Sequence, residues 1–77
     1  MTLTDGGPAS LLSLAKANAE ANADIWAGSG RKVEVVPHAW GEPTSEQLRG
    51  YDWVLGSDLT YAVAAHAALC GTVAAQL

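Results

Sequence analysis

Two carboxylates, an indole and a phenol are the groups whose types and settings in this chain could do chemistry. Asp58 follows the apolar run Trp53-Val54-Leu55-Gly56, and Tyr61 stands three residues further on in Asp58-Leu59-Thr60-Tyr61. Asp5 closes the β-compatible opening Thr2-Leu3-Thr4, and Trp40 sits in the loop His38-Ala39-Trp40-Gly41-Glu42-Pro43. A carboxylate just past a strand can accept two hydrogen bonds from a ribose diol. An indole on an adjacent loop offers an apolar, π-rich wall for a purine. A second carboxylate on the same rim can hold an ammonium group. Together these groups describe a site for a nucleoside-like ligand with a cationic end.

Each residue also has a plainer use. Asp58 would serve as the cap of the helix that follows it. Tyr61 and Trp40 would be packing residues. Asp5, ahead of Gly6-Gly7, would be an ordinary turn aspartate. His66 and Cys70 stand four apart on an expected helix, with His38 a third possible ligand. Zinc wants three or four ligands on one site, so no metal is expected.

The elements that must position these groups follow from pattern. Trp53 to Gly56 is apolar without alternation, as a strand covered on both faces of a parallel sheet requires. Gly6-Gly7-Pro8 breaks the opening strand, and Pro8 suits the first turn of a helix. That helix is expected from Ala9 to about Ala23, with Leu12, Ala15 and Ala19 on its buried face. Asn18 and Asn22 are poor helix formers, expected to face solvent near its end. Trp26 ends the helical stretch as a structural residue, before the flexible Ala27-Gly28-Ser29-Gly30. Val33 to Val36 reads as a second strand, with Pro37 marking its end or an edge. Thr44-Ser45-Glu46-Gln47-Leu48 reads as a capped helical turn. Ala62 to Leu77 closes the chain as a helix whose stripe is Ala62, Ala65, Leu69, Val73 and Leu77. The order predicts an α/β fold: a partial Rossmann-like, three-stranded parallel sheet, two main helices and a short helical turn. Asp5, the His38–Trp40 loop and Asp58–Tyr61 would then share one rim.

Length and composition limit the function. Seventy-seven residues form at most one small domain, and one cysteine, Cys70, cannot form an internal disulfide. A free thiol suits a reducing compartment, the cytoplasm or nucleus. Eight acidic residues against four basic ones argue against a nucleic-acid partner. The nineteen residues Leu59–Leu77 carry no formal charge. Thr60, His66, Gly71, Thr72 and Gln76 interrupt them, and alanine drives insertion weakly, so a buried helix is expected rather than a membrane span. No basic, apolar leader is visible at Met1-Thr2-Leu3.

Several segments, in order, resemble one family. They are Thr4-Asp5, Leu11-Leu12, Asn18 with Asn22, Val33-Glu34-Val35 running to Trp40-Gly41, and Tyr51-Asp52 through Leu55-Gly56-Ser57-Asp58-Leu59-Thr60-Tyr61. They look like the methyltransferase-like group of S-adenosylmethionine-dependent protein-lysine methyltransferases, which have the class I fold. The likeness spans nearly all of residues 1–77 but only the middle of the family's domain, its second to fourth strands and the next helix. It implies that Asp5 binds the cofactor ribose and that Trp40 lies beside the adenine. Asp58 would sit near the methionine portion and the incoming lysine, with Tyr61 shaping that pocket. The cofactor implied is S-adenosylmethionine, and the partner a protein substrate offering a lysine side chain. The family's first strand and glycine-rich loop would precede Thr2, and no Gly-x-Gly-x-x-Gly occurs here. The expectation is therefore an incomplete domain, inactive by itself. The alternative is a small non-catalytic α/β interaction module, docking a partner through the Ala62–Leu77 helix and its strand edges.

Overall fold

A computed structural model describes residues 1–77. The chain divides into two compact units, Met1–Ala39 and Trp40–Leu77.

In the first unit, β1 (Thr2–Asp5) and β2 (Glu34–Pro37) form a parallel pair, with Thr2 opposite Glu34 and Asp5 opposite Pro37. The Glu34 N–H donates to Met1 O and the His38 N–H to Asp5 O, each at 3.0 Å. Donors on that side of β2 alternate, so Pro37, one residue before His38, turns its missing N–H to the outer edge. A proline costs a strand nothing there. α1 (Ala9–Ala21) begins directly after Pro8, and the Leu11 N–H closes the first turn on Pro8 O at 2.9 Å. Leu12, Ala15 and Ala19 are its half-buried residues, the face that periodicity predicts.

α1 ends two residues sooner than the alanine content suggests. Asn22 leaves helical geometry with φ −106° and ψ 15°, and its side-chain amide donates to Asn18 O at 2.7 Å. A short amide that bonds backbone locally competes with the helix and satisfies a carbonyl at its end. A short α2 (Ala23–Trp26) follows, and the Trp26 indole N–H donates to Ala19 O at 3.0 Å, tying the two helices together. A 3-10 turn at Ala27–Ser29 ends at Gly30, whose φ of 73° suits glycine.

In the second unit, α3 (His66–Gln76) is the main element, preceded by 3-10 turns at Glu46–Leu48 and Val63–Ala65. The Gly41 N–H donates to Thr72 Oγ1 at 3.0 Å, and the Tyr51 N–H donates to Gln76 O at 2.9 Å. Leu48, 2% exposed, is the one fully buried apolar side chain of the protein. Thr72 and Gln76 are buried as well.

Three expectations are corrected. The sheet has two strands, not three: Trp53–Gly56 forms no strand, and Trp53 and Leu55 are 82% and 88% exposed. A partial Rossmann-like, three-stranded sheet is therefore not the fold. An apolar run states a preference for a covered strand, but a strand exists through its ladder of hydrogen bonds. Here the Tyr51 N–H goes to the end of α3 instead. Second, the last helix starts at His66, because Ala62 to Ala65 turn as a 3-10 segment. Third, its best-buried positions are Thr72 and Gln76, while Leu77 is 61% exposed. Backbone polar groups packed on this helix need partners, and a hydroxyl supplies what an apolar stripe cannot.

Candidate functional site

The carboxyl ends of β1 and β2 bring Asp5 and His38 to one rim. Asp5 is the last residue of β1 and its side chain is exposed. Its Oδ1 accepts the Gly7 N–H at 2.6 Å, so the carboxylate closes a tight turn onto its own backbone. A side chain at Gly7 would displace the neighbouring side-chain ends. A β-carbon on Gly7 would lie 2.8 Å from Asp5 Oδ1 and 2.7 Å from Leu11 Cδ1. One on Gly6 would lie 2.8 Å from Ala39 Cα, so the exit of β1 presses on the exit of β2. The sequence thus fixes one carboxylate at the end of a parallel strand, with glycine backbone beside it.

His38 belongs to the same rim through its backbone bond to Asp5 O. It is 6% exposed, and its Nε2 is buried without a hydrogen-bond partner. A buried imidazole nitrogen of this kind costs about 1–3 kcal/mol when left unpaired. The sequence places His38 in the rim loop and as a third possible metal ligand, but does not mark it as buried. The signal that singles it out is position: it comes directly after the proline that ends β2.

The other expected site residues belong to the second unit, Trp40–Leu77. Trp40 is half-buried. Asp58 does not end a strand. It is exposed in a turn with φ 54°, the one non-glycine residue of the chain with positive φ. Aspartate is among the few residues that tolerate this geometry. Asp58 is not a helix cap either, since Ala62 and Ala65 occupy the positions before the 3-10 turn and α3. Tyr61 is 83% exposed, so it is not a packing residue. His66 is engaged locally, its Nε2 lying 2.9 Å from Thr60 O.

The first unit also has an open cleft of about 350 Å³ between helix and sheet, lined by Met1, Leu3, Val33, Ala15, Ala19, Asn18, Asn22 and Trp26. Asp5 and His38 do not line it. The cleft is mainly apolar and lacks an ionisable side chain. No helix is long and apolar enough to cross a membrane.

No protein-family model, curated protein or solved structure matches this chain. The likeness to lysine methyltransferases rests on the order and spacing of its motifs alone.

Proposed function

We propose that these residues supply the ribose and adenine contacts of an S-adenosylmethionine site in a protein-lysine N-methyltransferase. The observation that carries this reading is the Asp5 turn. An exposed carboxylate ends a strand of a parallel pair, with one oxygen fixed by the Gly7 N–H at 2.6 Å. An acid in that setting suits a ribose diol. The unpartnered Nε2 of His38, on the next strand's exit, adds a buried polar group open to a hydrogen bond. The motif order through Trp40-Gly41 and Asp58-Leu59-Thr60-Tyr61 supports the family.

In this reading Asp5 takes the ribose hydroxyls, and the adenine contact of Trp40 rests on the motif alone. Asp58 and Tyr61 stand by the methionine portion and the incoming lysine, roles that rest on the motif alone. S-adenosylmethionine, when bound, would supply its sulfonium methyl group to a neutral lysine amine, leaving S-adenosylhomocysteine and releasing the amine proton to solvent. Alignment and carboxylate placement are what protein groups contribute to such a displacement. The glycine-rich loop for the methionine end is not assigned to residues 1–77, which hold no Gly-x-Gly-x-x-Gly. A reducing compartment, the cytoplasm or nucleus, fits the exposed free thiol of Cys70.

Calorimetric titration with S-adenosylhomocysteine tests the reading. Binding that disappears in Asp5→Ala supports it, and equal affinity in that variant removes the ribose assignment. A second reading, a non-catalytic interaction module, is favoured by the exposed apolar side chains of Trp53, Leu55, Tyr61 and Val63. It requires partner binding that ignores the cofactor and survives Asp5→Ala.

A further inference from the structure

We propose that the loop Asp52–Val63 is a docking surface for a cationic amphipathic segment of another protein. The proposal rests on the interaction-module reading and gives it a partner class; it needs no methyl transfer.

The loop is held at both ends on α3. The Tyr51 N–H bonds Gln76 O at 2.9 Å near the helix C-terminus, and His66 Nε2 meets Thr60 O at 2.9 Å at its N-terminus. Eleven helical residues span about 16 Å, so the chain between these anchors runs back along the helix. Tyr51, Val54 and Leu59 face partly inward. The bend comes at Gly56–Asp58, where Leu59 folds over Gly56 so closely that a β-carbon there would overlap it.

What remains outside is unusually apolar. Trp53, Leu55, Tyr61 and Val63 are 80–88% exposed. An aromatic side chain offers about 150–250 Å². With Leu55 and Val63 the loop offers apolar area on the order of hundreds of Å² to a partner.

Charge selects the occupant. From Gly50 to Leu77 the charged side chains are Asp52 and Asp58, both exposed, and they flank Trp53 and Leu55. A second copy would set carboxylates against carboxylates on a chain of net charge −4, an arrangement that costs affinity. A helix with leucines on one face and lysines or arginines beside them satisfies both features.

Fluorescence anisotropy with a labelled synthetic helical peptide, leucine on one face and lysine on the other, tests the proposal. The control is the same peptide with glutamate in place of lysine. The lysine peptide should bind, and the glutamate peptide should bind at least about tenfold more weakly. Trp53→Ala with Leu55→Ala should weaken the lysine peptide about tenfold. Asp52→Asn with Asp58→Asn should flatten its salt dependence. These side chains are exposed, so unchanged far-UV circular dichroism separates lost docking from lost folding. Equal affinity for both peptides would overturn the partner class while leaving the module reading in place. No binding of either peptide, or binding indifferent to Trp53→Ala with Leu55→Ala, would overturn the surface itself. Self-association abolished by Trp53→Ala would overturn the proposal in favour of a second copy.

Discussion

Gly6→Ala tests how tightly the two strand exits are pressed together at the Asp5 rim. The added β-carbon would lie 2.8 Å from Ala39 Cα, 3.0 Å from Ala39 Cβ and 3.3 Å from His38 O. These are backbone or near-backbone atoms, so no side chain can rotate away and the exits must part. Overpacking of this kind costs about 1–3 kcal/mol. The narrower unfolded ensemble of alanine offsets about 0.4–1 kcal/mol of that. A net loss of about 1–2 kcal/mol is expected, and at about 4–8 °C per kcal/mol the midpoint should fall by roughly 5–15 °C. The chain has little reserve, because Leu48 is its one fully buried apolar side chain. The assay is thermal and urea unfolding followed by far-UV circular dichroism. Gly28→Ala is the control, since a β-carbon there meets nothing within 4 Å and no positive φ is involved. Equal midpoints for the two variants would refute the close approach of β1 to the exit of β2.

The remaining predictions use the same unfolding assay. Gly71→Ala should stabilise α3 by about 1 kcal/mol, because the position is helical and open space surrounds the new methyl group. Thr72→Val should destabilise by about 1–3 kcal/mol, since it removes the acceptor of the Gly41 N–H from a buried position. His38→Leu should leave stability unchanged or raise it, because it replaces a buried nitrogen without a partner by an apolar group. A clear loss in that variant would show that the imidazole is satisfied.

The first half of the chain was legible because local signals there agree with one another. Gly6-Gly7-Pro8 separates strand from helix, Leu12, Ala15 and Ala19 share a face, and Pro37 ends its strand. Asp5 was accordingly recognisable as a strand-end carboxylate. The second half misled because its strongest signal, the apolar run at Trp53, depends on a neighbouring strand that these residues do not supply. Once that strand is gone, Asp58 loses its place on a sheet rim and becomes a turn residue with φ 54°. Thr72 and Gln76 were hidden for a related reason. The Thr72 hydroxyl accepts the Gly41 N–H and the Gln76 carbonyl accepts the Tyr51 N–H, pairings that hydrophobic periodicity does not encode. His38 could be read as a rim residue but not as a buried one.

The central claim is that the Asp5 carboxylate is a ligand group and not only a turn former. Asp5→Asn separates the two roles, since its amide oxygen can still accept the Gly7 N–H while its amide nitrogen cannot accept a ribose hydroxyl. The direct measurement is a titration of the isotopically labelled protein with S-adenosylhomocysteine, following the amide signals of Gly6 and Gly7. The account predicts saturable shifts at these signals in the wild-type chain and their loss in Asp5→Asn with folding intact. Identical shifts in both proteins, or none in either, would contradict it.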